Sequence, residues 1–311
     1  MKALVAQSYG PLEDLVVTEM PKPVPGPGQI LVRTEASAVN AADAVLVTGV
    51  MKDVLPVQHP FTPGVDISGI VEAVGEGVTR FVVGDPVLAW LGLPSGALAE
   101  YVLVEDAPSV AIRPVGLDAA HAAALATGGL TASSLVNAAK VTEGETVLVI
   151  GAAGGVGSYV VQLAKQAGAT VLATGRAEDA AYLKRLAADE VLDYKSVNIP
   201  EETRRRVPGG VDVVIDVAHV SPDLAEAAVA VKSGGRVIYV LGGPPPALDR
   251  GVSATYAGAE APEGRLGELA AQAADGRLRV EVSANYPFAS ARQALVDFTT
   301  QHVRGKITVT F

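Results

Sequence analysis

Hydrophobic residues in the first third of the chain form short runs rich in β-branched side chains, with Gly and Pro between them. This pattern predicts strands separated by turns. The runs are MKALVAQ, QILVRTEASAVN, GVDISGIVEAVG, DPVLAWL and ALAEYVLV. Because they are short and irregularly spaced, a small β-barrel fits them better than a sandwich does.

The pattern changes at Leu117, after which helical segments come first and strands then alternate with helices. Two Ala-rich segments, LDAAHAAALATGG and LTASSLVNAAK, are typical of helices. The predicted strands from Thr146 onwards are TVLVI, VLATG, EVLDY, VDVVIDV and RVIYVL. The helices predicted between them are SYVVQLAKQAG, AEDAAYLKRLAA and SPDLAEAAVAVK. Nearly continuous aliphatic strands indicate burial on both faces, which predicts a doubly wound parallel sheet.

After a predicted helix near Arg265 to Ala274, the chain returns to strand character in RVEVSANYPF and KITVTF. We therefore expect an α/β protein of two domains. Residues 1–118, completed by 263–311, would form the β-barrel domain, and residues 119–262 would form the inserted parallel-sheet domain. VSATYA, Val252 to Ala257, is predicted as the last strand at the edge of that sheet. Because an uncovered edge often pairs with a second copy, we expect a homodimer through this strand.

Composition argues against several function classes. With 49% hydrophobic and 19% charged residues among 311, the chain can bury a large core. Its net charge of −10, from 34 acidic against 24 basic residues, opposes binding to nucleic acid or to an anionic membrane. No apolar run reaches the roughly 18–20 residues of a membrane span, and MKALV begins directly as a strand rather than as a secretory signal. We therefore expect a soluble, cytoplasmic protein.

Metal and thiol chemistry have few residues to draw on. The chain contains no cysteine, which removes disulfides, thiolate metal ligands and thiol nucleophiles. Its four histidines, His59, His121, His219 and His302, are far apart in the chain, and none forms an i, i+4 pair. We therefore expect no metal site.

A glycine-rich turn follows the first strand of the alternating region. In TVLVIGAAGGVGSYV, residues Ala152 to Gly157 match the dinucleotide-binding pattern G-x-G-x-x-G, with alanine in the first place. The second glycine, Gly154, would let a pyrophosphate approach the backbone, and the third would let the helix pack against the strand. We expect the N–H groups of Gly155 and Val156 to begin the helix and to bind an anion. A tight structural turn without a ligand is the alternative interpretation.

The end of the second alternating strand indicates which nucleotide would bind. A free ribose 2′-hydroxyl usually meets an Asp or Glu about 20 residues after the glycines. Here the strand ends in Ala173-Thr174-Gly175-Arg176, without an acid. The guanidinium of Arg176 suits a 2′-phosphate, which predicts NADP(H) rather than NAD(H). An arginine merely solvated at a strand end is the alternative.

Several motifs, in this order and at this spacing, extend over essentially the whole chain. They are SAVNAAD (Ser37 to Asp43), FTPGVDISGIVEAVG (Phe61 to Gly75), GLTA (Gly129 to Ala132), the AAGGVG turn, ADEVLDY (Ala188 to Tyr194) and HVRGK (His302 to Lys306). Together they resemble the medium-chain dehydrogenase/reductase superfamily, in its zinc-independent quinone oxidoreductase branch, which includes zeta-crystallin-like proteins. The resemblance implies a GroES-like β-barrel catalytic domain and a Rossmann domain that binds NADP(H).

The resemblance also explains why no zinc is expected. In the zinc-dependent alcohol dehydrogenases of this superfamily, a Cys stands where this chain has Asn40, and a His-Glu pair stands where it has Val65-Asp66. A catalytic zinc takes about three protein ligands of the His, Cys, Asp or Glu kind, so the loss of Cys and His together removes the site. Without a Lewis acid, the implied reaction is hydride transfer to a quinone or to the C=C bond of an α,β-unsaturated carbonyl.

Few residues are candidates for the chemistry itself. Asn40 is the candidate catalytic residue, because its amide could order the nicotinamide or the substrate oxygen; a turn-forming Asn is the alternative. Asp43 is expected to cap the helix that follows. No tyrosine lies between Val45 and Met51, where several relatives carry one, so a proton would come from water. Met51 and Trp90 would line the substrate site, although either could simply be core.

The resemblance implies further contacts with the cofactor along both halves of the chain. The expected positions are Asn40, Thr127, Thr131, Gly154, Gly155, Val156, Thr174, Gly175, Arg176, Tyr194, Ala218, His219, Val240, Leu241 and Gly242. Lys306 also matches a family position, but we expect a structural role for it.

Three interpretations of function stay open on the sequence. The first is an NADPH-dependent quinone or enone reductase. The second is an alcohol or ketone oxidoreductase of the same superfamily, against which the missing zinc ligands speak. The third is a non-catalytic NADPH-binding redox sensor or structural protein, which the missing tyrosine keeps open.

Overall fold

A computed structural model describes residues 1–220, 223–243 and 247–311 of the chain. Its strands are β1 (Lys2–Val5), β2 (Val16–Glu19), β3 (Gln29–Ala38), β4 (Asp66–Val74), β5 (Pro86–Trp90), β6 (Tyr101–Glu105), β7 (Val110–Ile112), β8 (Thr146–Ile150), β9 (Thr170–Gly175), β10 (Glu190–Asp193), β11 (Val211–Asp216), β12 (Val231–Tyr239), β13 (Ser253–Tyr256), β14 (Val282–Pro287) and β15 (Lys306–Thr310). The sequence pattern does not predict β2, which is mostly exposed, or β7, which has three residues.

The α-helices are α1 (Ala41–Thr48), α2 (Ala119–Ala139), α3 (Gly157–Gln166), α4 (Ala180–Arg185), α5 (Ile199–Arg206), α6 (Leu224–Ala227), α7 (Arg265–Ala274) and α8 (Ala291–Thr300). In the described part of the chain, none of them combines the length and the apolar character needed to cross a membrane.

The chain divides into two compact units. The first consists of Met1–Thr127 and Ala261–Phe311, and the second consists of Gly128–Glu260. The parallel-sheet unit is therefore inserted into the β-rich one. The boundaries that the sequence suggests, 118/119 and 262/263, stay a prediction.

The first unit is built around β3. Its large sheet has the order β14-β15-β3-β4-β5-β7, with β6 also paired to β3. The pairs are antiparallel except β14 with β15, and β1 and β2 form a separate antiparallel pair. Because β3 pairs with both β4 and β15, residues near the start of the chain meet residues near position 306.

The second unit is a parallel sheet of order β10-β9-β8-β11-β12-β13. The prediction of a doubly wound sheet is confirmed, and β13 lies at the edge where the sequence predicts the last strand. The chain runs outward from β8 in one direction and from β11 in the other. The carboxyl ends of β8 and β11 therefore flank the point where the strand order reverses, which is where open α/β sheets bind ligands.

Two predicted helices differ in the structure. The two Ala-rich segments form one continuous helix, α2, because its glycines serve packing rather than termination. A Cβ on Gly128 would lie 2.7 Å from the carbonyl oxygen of Gly155 and 2.8 Å from the ring of Tyr159. The predicted helix SPDLAEAAVAVK is much shorter: Ser221 and Pro222 lie outside the described residues, α6 covers Leu224–Ala227, and Val231 already belongs to β12.

Candidate functional site

The glycine turn between β8 and α3 contains two glycines that the fold itself requires. Gly151 has a left-handed backbone, with φ of +79°. At Gly157 a Cβ would lie 2.2 Å from the carbonyl oxygen of Gly151 and 2.7 Å from the Cα of Ala152. No side chain fits there, so Gly157 lets the start of α3 pack against the turn, as the sequence pattern predicts.

Gly154 is different, because nothing in the protein excludes a side chain from its position. Its nearest neighbour would be the carbonyl oxygen of Gly151 at 3.5 Å, an ordinary contact, and its φ is not left-handed. A glycine free of such contacts leaves room for a ligand to approach the backbone closely. The space at Gly154 therefore fits the predicted approach of a pyrophosphate.

The start of α3 corrects one detail of the prediction. The helix begins at Gly157 rather than at Gly155, with Val156 as the residue that precedes it. The turn needs these additional residues because the N–H of Gly154 bonds to Gly151 and that of Ser158 bonds back to Gly154. Gly155 and Val156 consequently lie before the helix N-terminus, where an anion is still favoured.

A cavity of about 590 Å³ opens at the carboxyl ends of β8, β9 and β11. Four predicted cofactor positions, Thr174, Tyr194, Ala218 and His219, line it. The remaining lining residues are Ile150, Gly151, Val197, Asn198, Ile199, Pro200, Asp223, Glu226 and Ala227. The Oγ1 of Thr174 accepts a hydrogen bond of 3.1 Å from the Gly151 N–H, which ties the glycine turn to the second strand.

Arg176 and Tyr194 lie side by side next to this cavity. The Nε of Arg176 donates to the Tyr194 hydroxyl at 3.1 Å, and its Nη1 lies 3.6 Å from Glu178. The hydrogen bond to Tyr194 raises the pKa of Arg176, which therefore stays positive. Gly175 has a packing role, because a Cβ there would lie 2.7 Å from Leu183 in α4.

His219 is held at the end of β11 by a buried carboxylate. Asp216 is fully buried, and its Oδ1 accepts the N–H groups of Ala218 and His219 at 2.9 Å each. Its Oδ2 lies 3.0 Å from the Nδ1 of His219. This hydrogen bond raises the pKa of His219, and partial burial opposes it.

The other predicted cofactor positions are spread over both units. Thr131 is nearly buried in α2, and Val240, Leu241 and Gly242 follow β12 in the second unit. They do not belong to the described lining of the cavity. Thr127 belongs to the first unit, as does Asn40.

A buried polar cluster surrounds Asn40 in the first unit. Its amide nitrogen donates to Asp66 Oδ2 at 2.9 Å and to the Ala38 carbonyl at 3.2 Å. Its Oδ1 accepts from the ammonium of Lys306 at 2.5 Å. The partners leave no ambiguity about the amide orientation, because a carboxylate only accepts and an ammonium only donates. Both amide hydrogens of Asn40 are thus donated to acceptors within the protein. This favours a role in which Asn40 positions its neighbours over direct donation to a substrate.

Asp66 is the centre of this cluster. Its Oδ1 accepts from the backbone N–H of Thr127 at 2.9 Å and from its hydroxyl at 2.5 Å. Its Oδ2 lies 3.7 Å from the Nζ of Lys306, which also donates to Val39 O at 2.9 Å. Burial raises the pKa of Asp66, and the Lys306 ammonium opposes this shift; burial lowers the pKa of Lys306 in turn.

Asp43 caps α1, as the sequence predicts. Its Oδ2 accepts the backbone N–H of Asn40 at 2.7 Å, and its Oδ1 accepts that of Gly64 at 3.0 Å. The side chain is completely buried, and this burial raises the pKa of Asp43 to about 7.

Sequence reasoning misses Asp66 and underrates Lys306 as a neighbour of Asn40. A signal was present: each is a charged residue at the start of an otherwise apolar strand, in DISGIV and KITVTF. A charge in such a run is stable only with a partner. The identity of that partner depends on the pairing of β3 with β4 and β15, which the pattern does not specify.

The donor set at this cluster does not suit a zinc ion. Val65 offers no ligand atom, and the Asn40 oxygen already binds the ammonium of Lys306. A dication there would face that positive charge. Among residues 1–220, 223–243 and 247–311, no group of three or more His, Cys, Asp or Glu side chains is arranged to hold a metal.

The two predicted substrate residues lie in different parts of the first unit. Trp90 ends β5 and pairs in register with Asp66, next to the polar cluster. Met51 lies in the turn after α1 and is 40% exposed. Within the described residues, no hydrogen bond or ring contact joins Met51 to Trp90.

Comparison with known proteins supplies the class. Residues 26–114 match a family model described as the alcohol dehydrogenase GroES-like domain, and residues 155–254 match one described as zinc-binding dehydrogenase. Quinone-oxidoreductase QR1 of Triphysaria versicolor is 31% identical over 327 aligned residues, with 99% of this chain and 98% of that protein covered. The NADPH-dependent alkenal/one oxidoreductase of Arabidopsis thaliana is 31% identical over 326 residues, with 99% of this chain and 79% of that protein covered.

A solved structure extends the likeness to the whole fold. The crystal structure of an NAD-dependent alcohol dehydrogenase superposes with a TM-score of 0.90 at 30% identity and covers all of both chains. These findings define an oxidoreductase with a GroES-like unit and a Rossmann-like parallel-sheet unit, which confirms the predicted fold class. The chain belongs to the medium-chain dehydrogenase/reductase superfamily, in its quinone oxidoreductase branch, and the family uses a nicotinamide cofactor.

Proposed function

We propose that the chain is an NADPH-dependent, zinc-independent oxidoreductase that reduces quinones or the C=C bond of α,β-unsaturated carbonyls. The observation that carries this proposal is the crevice at the ends of β8, β9 and β11. Its lining contains Gly151 from the glycine turn and Tyr194, whose hydroxyl accepts a hydrogen bond from Arg176 at the end of the second strand. In the same turn, Gly154 leaves space for a ligand at the backbone. The names of the relatives, quinone oxidoreductase and NADPH-dependent alkenal/one oxidoreductase, support the same acceptors.

The second unit would bind the nucleotide with residues from each part of the crevice. Gly154 leaves room for the pyrophosphate, and the backbone N–H groups of Gly155 and Val156 precede the helix N-terminus, where negative charge is stabilised. Arg176 presents a charged planar group to a 2′-phosphate, and Tyr194 fixes its Nε. Two carboxylates lie close to Arg176: Glu178 pairs with its guanidinium at 3.6 Å, and Asp179 accepts its backbone N–H at 2.8 Å. Carboxylates engaged in this way would repel the phosphate less strongly than unpaired acids.

The first unit would supply orientation rather than metal catalysis. The nicotinamide, when bound, supplies a hydride; the charge that develops on a conjugated carbonyl oxygen needs only hydrogen bonds. Asp66 holds both the Thr127 backbone and hydroxyl, and Lys306 holds Asn40. These contacts keep Asn40 and Thr127 in one arrangement. A water molecule is proposed as the source of the proton, since Val45 to Met51 contains no tyrosine.

An alcohol or ketone oxidoreductase is the second candidate function. The descriptions of the two family models and of the superposed alcohol dehydrogenase favour it. The ammonium of Lys306 at the Asn40 oxygen opposes a zinc-dependent form of that chemistry. The homodimer through β13, the cytoplasmic location and the absence of nucleic-acid and membrane partners stay predictions. The alternative of a non-catalytic redox sensor is not favoured, because the relatives are oxidoreductases by name.

The experiment is to measure binding and oxidation of NADPH and NADH by chelator-treated protein, with benzoquinones, naphthoquinones, enones and simple aldehydes as acceptors. The variant Gly154→Ala should fold but lose NADPH binding. Gly10→Ala is the matched control, because a Cβ there also meets one oxygen at 3.5 Å, that of Asp14. NADPH-preferring turnover of quinones or enones supports the proposal. Turnover of aldehydes alone, or NADPH binding unaffected by Gly154→Ala, contradicts it.

A further inference from the structure

One side chain that lines the crevice of the second unit can become positively charged. Among the described residues of the lining it is His219; the other titratable ones are Tyr194, Asp223 and Glu226. Arg176 is bonded to Tyr194 and does not belong to the lining. A dinucleotide carries several negative charges, so the charge state of His219 bears directly on its binding.

The protein binds one nitrogen of the His219 ring and leaves the other nitrogen accessible to a ligand. Nδ1 bonds to the buried Asp216, whose other oxygen holds the backbone of the same residue. In the described part of the chain no residue bonds to Nε2, and the side chain is 45% exposed. The ring is therefore oriented by the protein and is still accessible from the cavity that it lines.

The charges around His219 all favour its protonated form. Asp216 lies at the end of β11, Asp223 just before α6, and Glu226 within α6; each raises the pKa of His219, and partial burial lowers it. Tyr194, after β10, is the remaining titratable side chain of the described lining. An anion bound in the cavity would raise the pKa of His219 further, in the same direction as the three carboxylates, because opposite charge stabilises the imidazolium.

Building on the proposed function, we propose that His219 binds the dinucleotide as an imidazolium, so that formation of the complex takes up a proton. The imidazolium offsets the carboxylates of Asp223 and Glu226, which share the cavity and would otherwise repel the ligand. Asp216 keeps the ring in place in both charge states. His219 would thus make nucleotide affinity depend on pH near neutrality.

The sign of the effect follows from linkage. Well below its pKa, His219 is already protonated in the free protein, so the ring adds no pH dependence to the affinity. As the pH rises through the pKa that His219 has in the free protein, binding must be accompanied by uptake of a proton. The affinity for the dinucleotide then falls by at most about tenfold per pH unit. We expect the Kd for NADPH to be higher at pH 8.5 than at pH 7, by no more than this limit.

The test is calorimetric titration of NADPH into the full chain at pH 7.5 in two buffers with different ionisation enthalpies. The difference in heat counts the protons taken up. His219→Gln removes the titration. His121→Gln is the matched control, because His121 pairs with Asp118 at the same i, i+3 spacing, with Nδ1 2.8 Å from Oδ2, but lies in the first unit.

We expect fractional proton uptake in the wild-type protein and in His121→Gln, and uptake close to zero in His219→Gln. Binding without proton uptake in the wild-type protein, or equal uptake in His219→Gln, would overturn this inference and leave the proposed function standing. Failure of the wild-type protein to bind NADPH at any pH would overturn both.

Discussion

Replacing Lys306 by Met should destabilise the first unit by about 3–5 kcal/mol at pH 8, the usual loss when one partner of a buried ion pair is removed. The Lys306 side chain is 4% exposed. Its ammonium bonds to Val39 O and Asn40 Oδ1 and lies 3.7 Å from the carboxylate of Asp66. The substitution leaves two acceptors unsatisfied, at about 1–3 kcal/mol each, and one buried carboxylate without its cation. The ammonium's own desolvation penalty disappears and offsets part of this loss.

The assay is urea unfolding followed by the fluorescence of Trp90. It is the single tryptophan of the chain and pairs with Asp66 in the neighbouring strand, so its signal reports on the first unit. The loss should be smaller at pH 5 than at pH 8. Burial already raises the pKa of Asp66, and without the ammonium it rises further, so that protonation relieves the unpaired charge on the acid side.

Lys22→Met is the matched control. Lys22 forms a shorter ion pair with Glu72, 2.7 Å, but both side chains are about 40% exposed. Its removal should change the free energy of unfolding far less than the removal of Lys306, because water and salt screen an exposed ion pair. If Lys306→Met lowered the free energy of unfolding no more than Lys22→Met at pH 8, the buried cluster would not stabilise the first unit as its geometry implies. The double variant Lys306→Met/Asp66→Asn should lose less than the sum of the single variants, because the two groups interact directly.

Three further changes test other parts of the molecule. Arg176→Ala should weaken NADPH binding by about 10- to 100-fold in a fluorescence titration and leave NADH binding unchanged, because only NADPH carries the 2′-phosphate. Equal losses for both cofactors would mean that Arg176 does not contact the 2′-phosphate. Gly157→Ala should reduce stability by about 3 kcal/mol or more in thermal unfolding, because the new Cβ would lie 2.2 Å from the carbonyl oxygen of Gly151. Gly154→Ala should cost less than about 1 kcal/mol, and similar losses for both variants would contradict the turn geometry. Asp43, with its pKa raised by burial from 3.8 to about 7, should stabilise the fold fully below about pH 3.8, and this contribution should be lost as the pH rises through 7. Urea unfolding at several pH values should show a weaker pH dependence in Asp43→Asn; an unchanged dependence would exclude this group as its source.

Local patterns predict the parallel sheet well. The strands of the second unit are buried aliphatic runs, and their length is typical of strands rather than helices. The glycine pattern predicts the turn because Gly157 stands where no side chain fits. The edge position of β13 also follows from its place as the last strand of the alternating region.

Long-range pairing is what the sequence leaves open. Gly128 looks like a helix terminator, but the close approach of Gly155 and Tyr159 makes it a packing residue inside α2. Asp66 and Lys306 look like isolated charges at strand starts until β3 brings them to Asn40. In both cases the deciding neighbour is distant in the chain, and periodicity carries no information about it.

The contact between Asn40 and Lys306 joins positions 266 residues apart, with the whole parallel-sheet unit between them. During synthesis, residues 128–260 leave the ribosome and can form their sheet before β15 exists. The first unit, although it starts the chain, stays without one strand neighbour of β3 and without the partner of Asp66 until residues 306–310 have emerged. Folding of the first unit can therefore be completed only after the second unit has left the ribosome, because the pairing of β3 with β15 spans the whole inserted sheet.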